Sequence, residues 1–313
     1  MKIAAYSIGG IEKASSRLRS FYLFSFAKEF GLNVSRPSRY RDALSFDVVH
    51  IQKILSYKLI FWMIVFQVFG LRVVYDIDDQ PGGRKAFLGY LVVLFLSSVI
   101  TVDSEARKNY WKKFLFFKKI VVINDIADSN DVHLRVKERG DLLDAHVFFW
   151  IGHADNVRSL EGFIEFLKNS TNHKLIISTE KEAITSLKNR YPFIKFVPWF
   201  DGVAYDDCIE ASFMILNHNF DQASLLKSEN KMVLAILAGF IPIASRTPSY
   251  EKLAKSLDAD FLLFDNIEDV AGIATKLVEA DLRGFFKRSL DFINLNYSRN
   301  AVLSNFVTKV LCR

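Results

Sequence analysis

Cysteine is scarce in this sequence, which has two among 313 residues, Cys208 and Cys312. The two are far apart, so they supply neither a disulfide framework nor the paired spacing of a zinc site. This usage is typical of a reducing compartment. The first residues, MKIAAYSIGG, also lack the layout of a secretory signal peptide. We therefore expect a cytoplasmic protein.

Apolar runs long enough to cross a membrane are lacking as well. The uncharged run 86–102 has seventeen residues, slightly fewer than the roughly 20 that a spanning helix needs. It divides into a helix at 85–97 and a strand at 99–102. A similar apolar helix at 59–71 precedes a strand at 72–75. We expect both helices to be buried inside an α/β domain, and neither to cross a membrane.

Negative charge is in moderate deficit, but the net positive charge alone excludes few classes of binding partner. The net charge is +6, half of the residues are hydrophobic and 24% are charged, which is a globular composition with room for two domains. Such an excess suits nucleotides, nucleic acid or an anionic membrane. Because the basic residues are spread along the chain and no nucleic-acid recognition motif is present, we predict no nucleic-acid partner.

Short apolar runs alternate with helical patterns in two series. The first series contains strands at 2–7, 46–51, 71–75, 99–102 and 121–123. The second contains strands at 147–151, 174–178, 194–197, 213–216 and 261–264. The polar stretch 129–144 separates the two series and is the best linker candidate. This order predicts an α/β protein with two parallel-sheet domains.

The stretch 226–250 organises the second series. Ser228 is a good N-cap residue, apolar residues recur at helical spacing from Met232, and Gly239 falls where a glycine ends a helix. A strand at 240–245 follows. Lys227, Ser228 and Lys231 stand beside the free N–H groups of the helix start, a natural cradle for phosphate. The alternative is an ordinary αβ unit with a solvated, charged start.

Three carboxylates follow the strand 71–75. Asp76, Asp78 and Asp79 precede a Pro-Gly-Gly turn, and ligands of parallel sheets bind beyond the carboxyl ends of strands. Such carboxylates can orient or deprotonate a hydroxyl group. They can also cap the next helix, or bind a divalent cation. Asp76-Ile77-Asp78 matches the Asp-x-Asp metal pattern, but a match of three residues is common by chance.

The run KSENKMVLAILAGFIPIASRTPSY resembles the donor-site helix and following strand of GT-B glycosyltransferases related to family four. WIGHADN, at 150–156, resembles the turn that opens the donor domain of that fold, and 297–311 resembles its final helix. The resemblance implies two Rossmann-like domains facing a cleft. It implies an acceptor-side domain at 1–145, a nucleotide-sugar-binding domain at 146–295, and a helix at 296–313 that returns to the first domain.

The resemblance also implies an activity. A member of this class moves a sugar from a nucleotide-sugar, which is a substrate and not a cofactor, to a hydroxyl acceptor. The implied setting is bacterial surface polysaccharide or glycolipid assembly, with no metal and no cofactor. The implied donor-binding residues are Gly152, His153, Asn156, Trp199, Lys227, Ser228, Glu229, Asn230 and Lys231.

The acceptor side is implied in the same way. YDIDD resembles a GT-B stretch facing the acceptor, so one of Asp76, Asp78 and Asp79 would be the catalytic carboxylate. Arg17 and Arg19 follow the first strand, where the fold places its cleft, although they also suit a plain loop of solvated arginines. Trp199 would stack on the base, or else belong to the core.

One family feature is missing. Many members of family four carry two glutamates separated by seven residues, and Leu226 and Leu234 occupy those positions here. The ribose contact, the donor nucleotide and the stereochemical course are therefore not implied. A second hypothesis from another class is a non-catalytic, two-lobed protein that binds nucleotides or sugars.

The segment 111–119, WKKFLFFKK, sets four lysines around an aromatic and aliphatic centre. Aromatic side chains can enter the headgroup boundary while lysines meet anionic lipid. We expect peripheral contact with the inner face of the cytoplasmic membrane, and the resemblance to glycosyltransferases implies a glycan or lipid-linked acceptor. The alternative is a buried helix end whose lysines extend to water.

Overall fold

The computed structural model describes residues 1–11, 13–127, 146–198, 211–218, 220–278 and 282–312. Twelve strands are present in this part of the chain. They are β1 (Lys2–Ser7), β2 (Asn33–Ser35), β3 (Val48–Gln52), β4 (Arg72–Ile77), β5 (Val99–Val102), β6 (Ile120–Val122), β7 (His146–Ile151), β8 (His173–Thr179), β9 (Lys195–Pro198), β10 (Phe213–Leu216), β11 (Ile241–Ser245) and β12 (Leu263–Phe264).

The helices connect these strands. In the described residues they are α1 (Ala14–Ser16), α2 (Tyr57–Val68), α3 (Arg84–Phe95), α4 (Glu105–Lys112), α5 (Glu161–Lys168), α6 (Lys181–Arg190), α7 (Gln222–Leu225), α8 (Asn230–Leu237), α9 (Pro248–Ser256), α10 (Val270–Val278), α11 (Leu282–Tyr297) and α12 (Arg299–Phe306). Two five-residue π-helical turns, Arg17–Phe21 and Val307–Leu311, continue α1 and α12. No helix in the described ranges is long and apolar enough to span a membrane.

The strands form two sheets of six strands, and every recorded pairing is parallel. The strand order is β2-β1-β3-β4-β5-β6 in one sheet and β12-β11-β10-β7-β8-β9 in the other. The fold class predicted from the sequence, α/β with two Rossmann-like parallel sheets, is confirmed.

Two units divide the described chain. Unit 1 contains residues up to 127, the short segment 226–228 and the residues from 294 onward; unit 2 contains 146–225 and 229–293. The domain limits 1–145, 146–295 and 296–313 stay a prediction, because the proposed linker 129–144 lies outside the described residues. Trp199 and Cys208 lie outside them as well.

Several inner strands are buried on both faces of their sheet. All residues of β3, β5, β10 and β11 are buried, as expected where helices cover both sides of a parallel sheet. In unit 1 one apolar cluster packs α2, α3 and α4 against the sheet. A second cluster includes residues 23–32 and the C-terminal helix.

The C-terminal helix belongs to unit 1, as predicted. Arg72 Nη1 donates to the carbonyl of Leu311 at 2.7 Å, and the amide of Ala127 donates to the carbonyl of Tyr297 at 3.0 Å. Phe306 is fully buried beside Phe24, with ring centroids 5.5 Å apart. The end of the chain is therefore part of the core of unit 1.

Helix boundaries follow local chemistry. The Ser56 and Ser104 hydroxyls accept hydrogen bonds from the amides of Leu59 and Arg107, which fixes the starts of α2 and α4. Gly239, with φ of 77°, ends α8 as its position in the sequence predicted.

The expectation of full burial for the two apolar helices is wrong. Both α2 and α3 bury one side and leave large apolar side chains exposed on the other. The burial expectation fails because each helix is apolar all round, whereas the sheet covers only one of its sides.

Candidate active site

Asp76 is an internal residue of β4. In the sheet it pairs with Gln52 of β3 and Thr101 of β5, so it does not follow the strand as the sequence suggested. Arg19 donates from Nε to Oδ2 at 2.8 Å and from Nη2 to Oδ1 at 2.6 Å, and the Thr101 hydroxyl donates to Oδ1 at 2.6 Å. Burial opposes ionisation, but the charge and hydrogen bonds of Arg19 outweigh it and lower the pKa of Asp76.

Arg19 makes further buried hydrogen bonds besides those to Asp76. Its Nη1 donates to the carbonyl of Ile123 at 3.0 Å and to Asp125 Oδ1 at 2.7 Å, and the residue is 4% exposed. The π-helical turn Arg17–Phe21 places it in the interior. These contacts argue against direct acceptor binding by Arg19. Arg17 is half-buried, and its Nη1 donates to the carbonyl of Ile11 at 3.3 Å.

Ser228 joins the same network of unit 1. Its hydroxyl donates to Asp125 Oδ2 at 3.1 Å, and the Ser104 hydroxyl donates to the carbonyl of Leu226 at 2.8 Å. The prediction that Ser228 caps the helix is wrong: α8 begins at Asn230 with Glu229 at the N-cap, because the Ser228 hydroxyl is directed to Asp125 instead. Lys227 is exposed and Glu229 is buried.

Asp78 differs from Asp76 in its environment. Its side chain is 11% exposed, and the Lys53 Nζ lies 3.4 Å from its Oδ1. Burial raises the pKa of Asp78 to about 6, although the charge of Lys53 opposes the shift. A carboxyl with a pKa in this range can accept a proton near neutral pH. Among the three predicted aspartates, Asp78 has the environment that best suits a base.

Lys53 links Asp78 to Asp79. Its Nζ also contacts Asp79 Oδ2, and the Asp79 side chain is 63% exposed. Lys53 has φ of 62°, the left-handed region that costs energy for a residue with a Cβ. Its amide donates to the carbonyl of Asp76 at 3.0 Å, which holds that conformation. Strain of this kind accumulates where the placement of a side chain matters.

In unit 2 the turn after β7 contains three predicted donor-binding residues. The amide of Gly152 donates to the carbonyl of Ser178 at 3.1 Å, and the amide of Asn156 donates to the carbonyl of His153 at 2.9 Å. Glycine is required at position 152, because a Cβ there would lie 2.6 Å from the indole ring of Trp150. The turn therefore packs closely against the end of its own strand.

Glu180 anchors this turn, and the sequence analysis missed it. It contacts Nδ1 of the exposed His153, accepts from the amide of Ala154 at 2.9 Å, and accepts from the Thr179 hydroxyl at 2.6 Å. Although burial acts the other way, these hydrogen bonds, led by that of Thr179, lower the pKa of Glu180 to about 2. The signal in the sequence was its position, directly after a buried strand.

Lys231 brings the start of α8 to the same turn. Its Nζ donates to the carbonyl of Ile151 at 3.1 Å and lies 6.0 Å from the centroid of the Trp150 ring. Asn230 is the first residue of α8 and is half-buried. Thus unit 2 combines a lysine, a helix start and the amide-rich turn after β7, an arrangement suited to an anionic group. In the described residues, no group of three or more His, Cys, Asp or Glu is placed to hold a metal ion.

No protein-family model and no curated protein matches this sequence. Solved structures match its fold. Alpha-glucosyltransferase (AGT) in complex with UDP has a TM-score of 0.68 at 12% identity, over 100% of both chains. AGT complexes with UDP and DNA also match. Anabaena Alr3699/HepE in complex with UDP and glucose has a TM-score of 0.66 at 12% identity, again over 100% of both chains.

A third neighbour is longer than this chain. A mutant of S. aureus TarM, in complex with Fondaparinux, alpha-GlcNAc-glycerol and UDP, has a TM-score of 0.58 at 12% identity; the match covers 84% of this chain and 55% of TarM. The chain therefore spans little more than half the length of TarM. Its fold is the GT-B fold of glycosyltransferases, as the resemblance predicted.

Proposed function

We propose that this chain is a glycosyltransferase that moves a sugar from a nucleotide-sugar to a hydroxyl group of an acceptor. The observation that carries the proposal is the position of Lys231. It lies at the start of α8 and contacts the end of β7, in a fold whose matched neighbours AGT, HepE and TarM have UDP bound.

The donor chemistry follows from charge. Breaking the glycosidic bond of a nucleotide-sugar leaves negative charge on the diphosphate, and positioned cations and amides stabilise that charge. We assign this role to Lys227, Lys231 and the backbone amides at the start of α8. Gly152, His153 and Asn156, in the turn after β7, would contact the same diphosphate. Ser228, Glu229 and Asn230 complete the proposed donor segment, and we propose that no metal is needed.

The acceptor chemistry centres on Asp78. Because burial outweighs the charge of Lys53 and raises the pKa of Asp78 to about 6, its carboxylate can accept the proton of the acceptor hydroxyl near neutral pH. Asp76 is held by Arg19 and positions the strand, while Asp79 and Lys53 adjust the charge around Asp78. Arg17 is the remaining candidate for acceptor contact.

We place the acceptor among glycans or lipid-linked sugars. The TarM complex contains alpha-GlcNAc-glycerol, a sugar joined to a polyol, which supports a glycan-like acceptor. The proposed setting is bacterial surface polysaccharide or glycolipid assembly, in the cytoplasm at the inner face of the membrane. Nucleic acid is not proposed as an acceptor.

A thermal-shift series with UDP, GDP, dTDP, CMP and ADP tests the donor site. A nucleotide that binds the folded state raises its stability by mass action, roughly 2.7 kcal/mol at a hundredfold excess over the Kd. We expect one nucleotide to stand out, and Lys231→Gln to weaken the shift. Lys188→Gln is the matched control, since Lys188 is an exposed lysine of α6 in the same unit.

Catalysis is then measured separately. The corresponding nucleotide-sugars are incubated with the protein and a panel of glycan and lipid-linked acceptors, and nucleotide release is followed. Release that depends on an acceptor supports the transferase. Selective binding without any release would favour the non-catalytic, two-lobed binder. Binding of none of the nucleotides would contradict both functions.

A further inference from the structure

Helix α2 carries an apolar stripe on its outer side. The stripe consists of Tyr57, Phe61, Ile64 and Val68, which are spaced by four, three and four residues and so lie on one face. Tyr57 is 94% exposed, Phe61 60% and Val68 79%. A helix that is apolar all round is normally covered on all sides. In the described residues nothing covers this one.

Helix α3 repeats the arrangement. Leu88, Val92 and Phe95 form its outer stripe and are exposed, while Tyr90, Val93 and Leu94 on its inner side belong to the core. Isolated exposed apolar residues are ordinary, but contiguous ones mark an interaction surface. Because α2 and α3 both carry an exposed apolar stripe, we look for one function that explains both.

The two stripes and the segment after α4 form one surface. The side-chain amide of Gln67 donates to the carbonyl of Leu96, which ties the end of α2 to the end of α3. The Phe95 ring lies 6.0 Å from that of Phe117, and the Phe87 ring 5.1 Å from that of Phe114. We call the outer stripes of α2 and α3, together with Phe114, Phe116 and Phe117, the apolar face.

Basic residues surround the apolar face. Between Val48 and Asn124 the sequence has eleven basic and five acidic residues, a balance of six positive charges that equals the net charge of the whole chain. The exposed basic residues are Lys58, Arg84, Lys85, Lys113 and Lys119. Lys118 lies over the rings of Phe95 and Phe117, at 5.2 and 5.9 Å, and donates to the carbonyl of Ser97.

The acidic residues of this stretch are already paired. Their partners are Arg19 for Asp76, Lys53 for Asp78 and Asp79, Arg107 for Asp103, and Lys108 for Glu105. None of the five lies on α2, on α3 or in the segment 113–119. Helices α2 and α3 and the segment 113–119 therefore carry exposed hydrophobic and basic side chains and no acidic one.

Exposed apolar side chains together with basic residues favour an anionic lipid bilayer as the binding partner of the apolar face. A second copy of the chain meeting face to face would place the same lysines against one another. Nucleic-acid interfaces are more polar than this face. An interfacial membrane segment has the required pattern, with aromatic and aliphatic side chains in the headgroup boundary and basic residues beside the lipid charges.

We propose that the apolar face of unit 1 docks on an anionic lipid bilayer, without crossing it. The proposal does not depend on sugar transfer, and its test measures no activity. Phe116, 77% exposed, and Phe117 enter the headgroup boundary together with the stripes of α2 and α3. Lys58, Lys113 and Lys119 meet the lipid phosphates.

Vesicle flotation of the full chain tests the proposal. We expect binding to phosphatidylcholine vesicles that contain phosphatidylglycerol, weak binding to phosphatidylcholine alone, and loss of binding in high salt. Lys113→Gln combined with Lys119→Gln should weaken binding roughly 30-fold, from about 1 kcal/mol for each basic residue. The apolar variants, Phe61→Ser and the pair Phe116→Ser with Phe117→Ser, should also weaken it.

The controls lie in unit 2. Phe193→Ser and Lys188→Gln change an exposed phenylalanine and an exposed lysine away from the face, and both should float like the wild type. Each variant is accepted only if its thermal midpoint matches that of the wild type. Wild-type protein that stays off anionic vesicles in low salt would overturn the proposal. So would a dimer, or a complex with duplex DNA, that is lost in the Phe116 and Phe117 variant.

Discussion

Arg19 holds Asp76 through both carboxylate oxygens, with Nε 2.8 Å from Oδ2 and Nη2 2.6 Å from Oδ1. Both residues are almost fully buried in unit 1. The guanidinium continues to Asp125, which accepts from Ser228. This buried pair therefore connects the interior of the sheet to the segment that precedes α8. We expect its loss to lower the stability of the fold.

We predict that Asp76→Asn lowers the free energy of unfolding by about 3 kcal/mol, because it removes the two-oxygen partner of the buried Arg19 and leaves that charge with Asp125 as its carboxylate partner. Urea denaturation at neutral pH measures the change. Asp79→Asn is the control: its side chain is exposed, so its effect should stay below ~1 kcal/mol. An Asp76→Asn protein as stable as the wild type would contradict this account of the pair.

The same pair predicts a pH dependence. Since the folded-state pKa of Asp76 is lowered, the stability it contributes is present above the ordinary pKa of an aspartate and is lost as pH falls through the folded value. Acid should therefore destabilise the wild type more than Asp76→Asn. Unfolding curves collected from neutral to acidic pH test the difference, and parallel curves for the two proteins would contradict it.

Asp78 should behave in the opposite sense. Its folded pKa is raised to about 6, so the folded state binds the proton more tightly, and stability falls as pH rises from the ordinary aspartate value to about 6. We predict that Asp78→Asn does not destabilise the protein at neutral pH and removes the acidic limb of kcat/KM near pH 6. Activity comparable to the wild type in Asp78→Asn would exclude Asp78 as the base.

Much of the fold could be predicted from local patterns. All four residues of β10 and three of the four residues of β5 are apolar, which is the pattern of a strand covered on both faces. Gly239 marks the end of α8 because its backbone conformation favours a residue without a Cβ. These signals lie within a few residues of the element they define.

The candidate site was predicted less completely because it depends on distant partners. The strand expected to end at Tyr75 continues through Asp76, and the countercharge that permits a buried carboxylate there comes from Arg19, 57 residues earlier. Glu180 was missed for a related reason. Its importance depends on β8 lying beside β7, and the order of strands cannot be derived from the pattern of either strand.

Lys227 and Lys231 give a prediction for donor use. We expect Lys227→Ala and Lys231→Gln each to lower turnover by raising the activation free energy by about 2–4 kcal/mol. This is the usual effect of removing one positioned charge from beside a developing anion. Steady-state kinetics with the donor identified by thermal shift measures this. Lys188→Gln should match the wild type. Normal turnover and normal donor affinity in a folded Lys227→Ala protein would refute its role.

Glu180 gives the last prediction. Its carboxylate accepts from the amide of Ala154 and contacts His153, so Glu180→Ala should loosen the turn after β7 without touching the acceptor side. Loss of a charged hydrogen bond is worth ~1.5 kcal/mol or more, so we expect the donor KM to rise about tenfold while kcat changes little.

Two comparisons make the role of Glu180 specific. Glu182→Ala changes an exposed glutamate two residues away, on α6, and should leave the donor KM unchanged. Glu180→Gln can still accept from Ala154 and should restore part of the affinity. If the loss in Glu180→Ala appeared in kcat and not in KM, Glu180 would act on the reaction itself. If neither constant changed in a folded variant, the turn would not belong to the donor site.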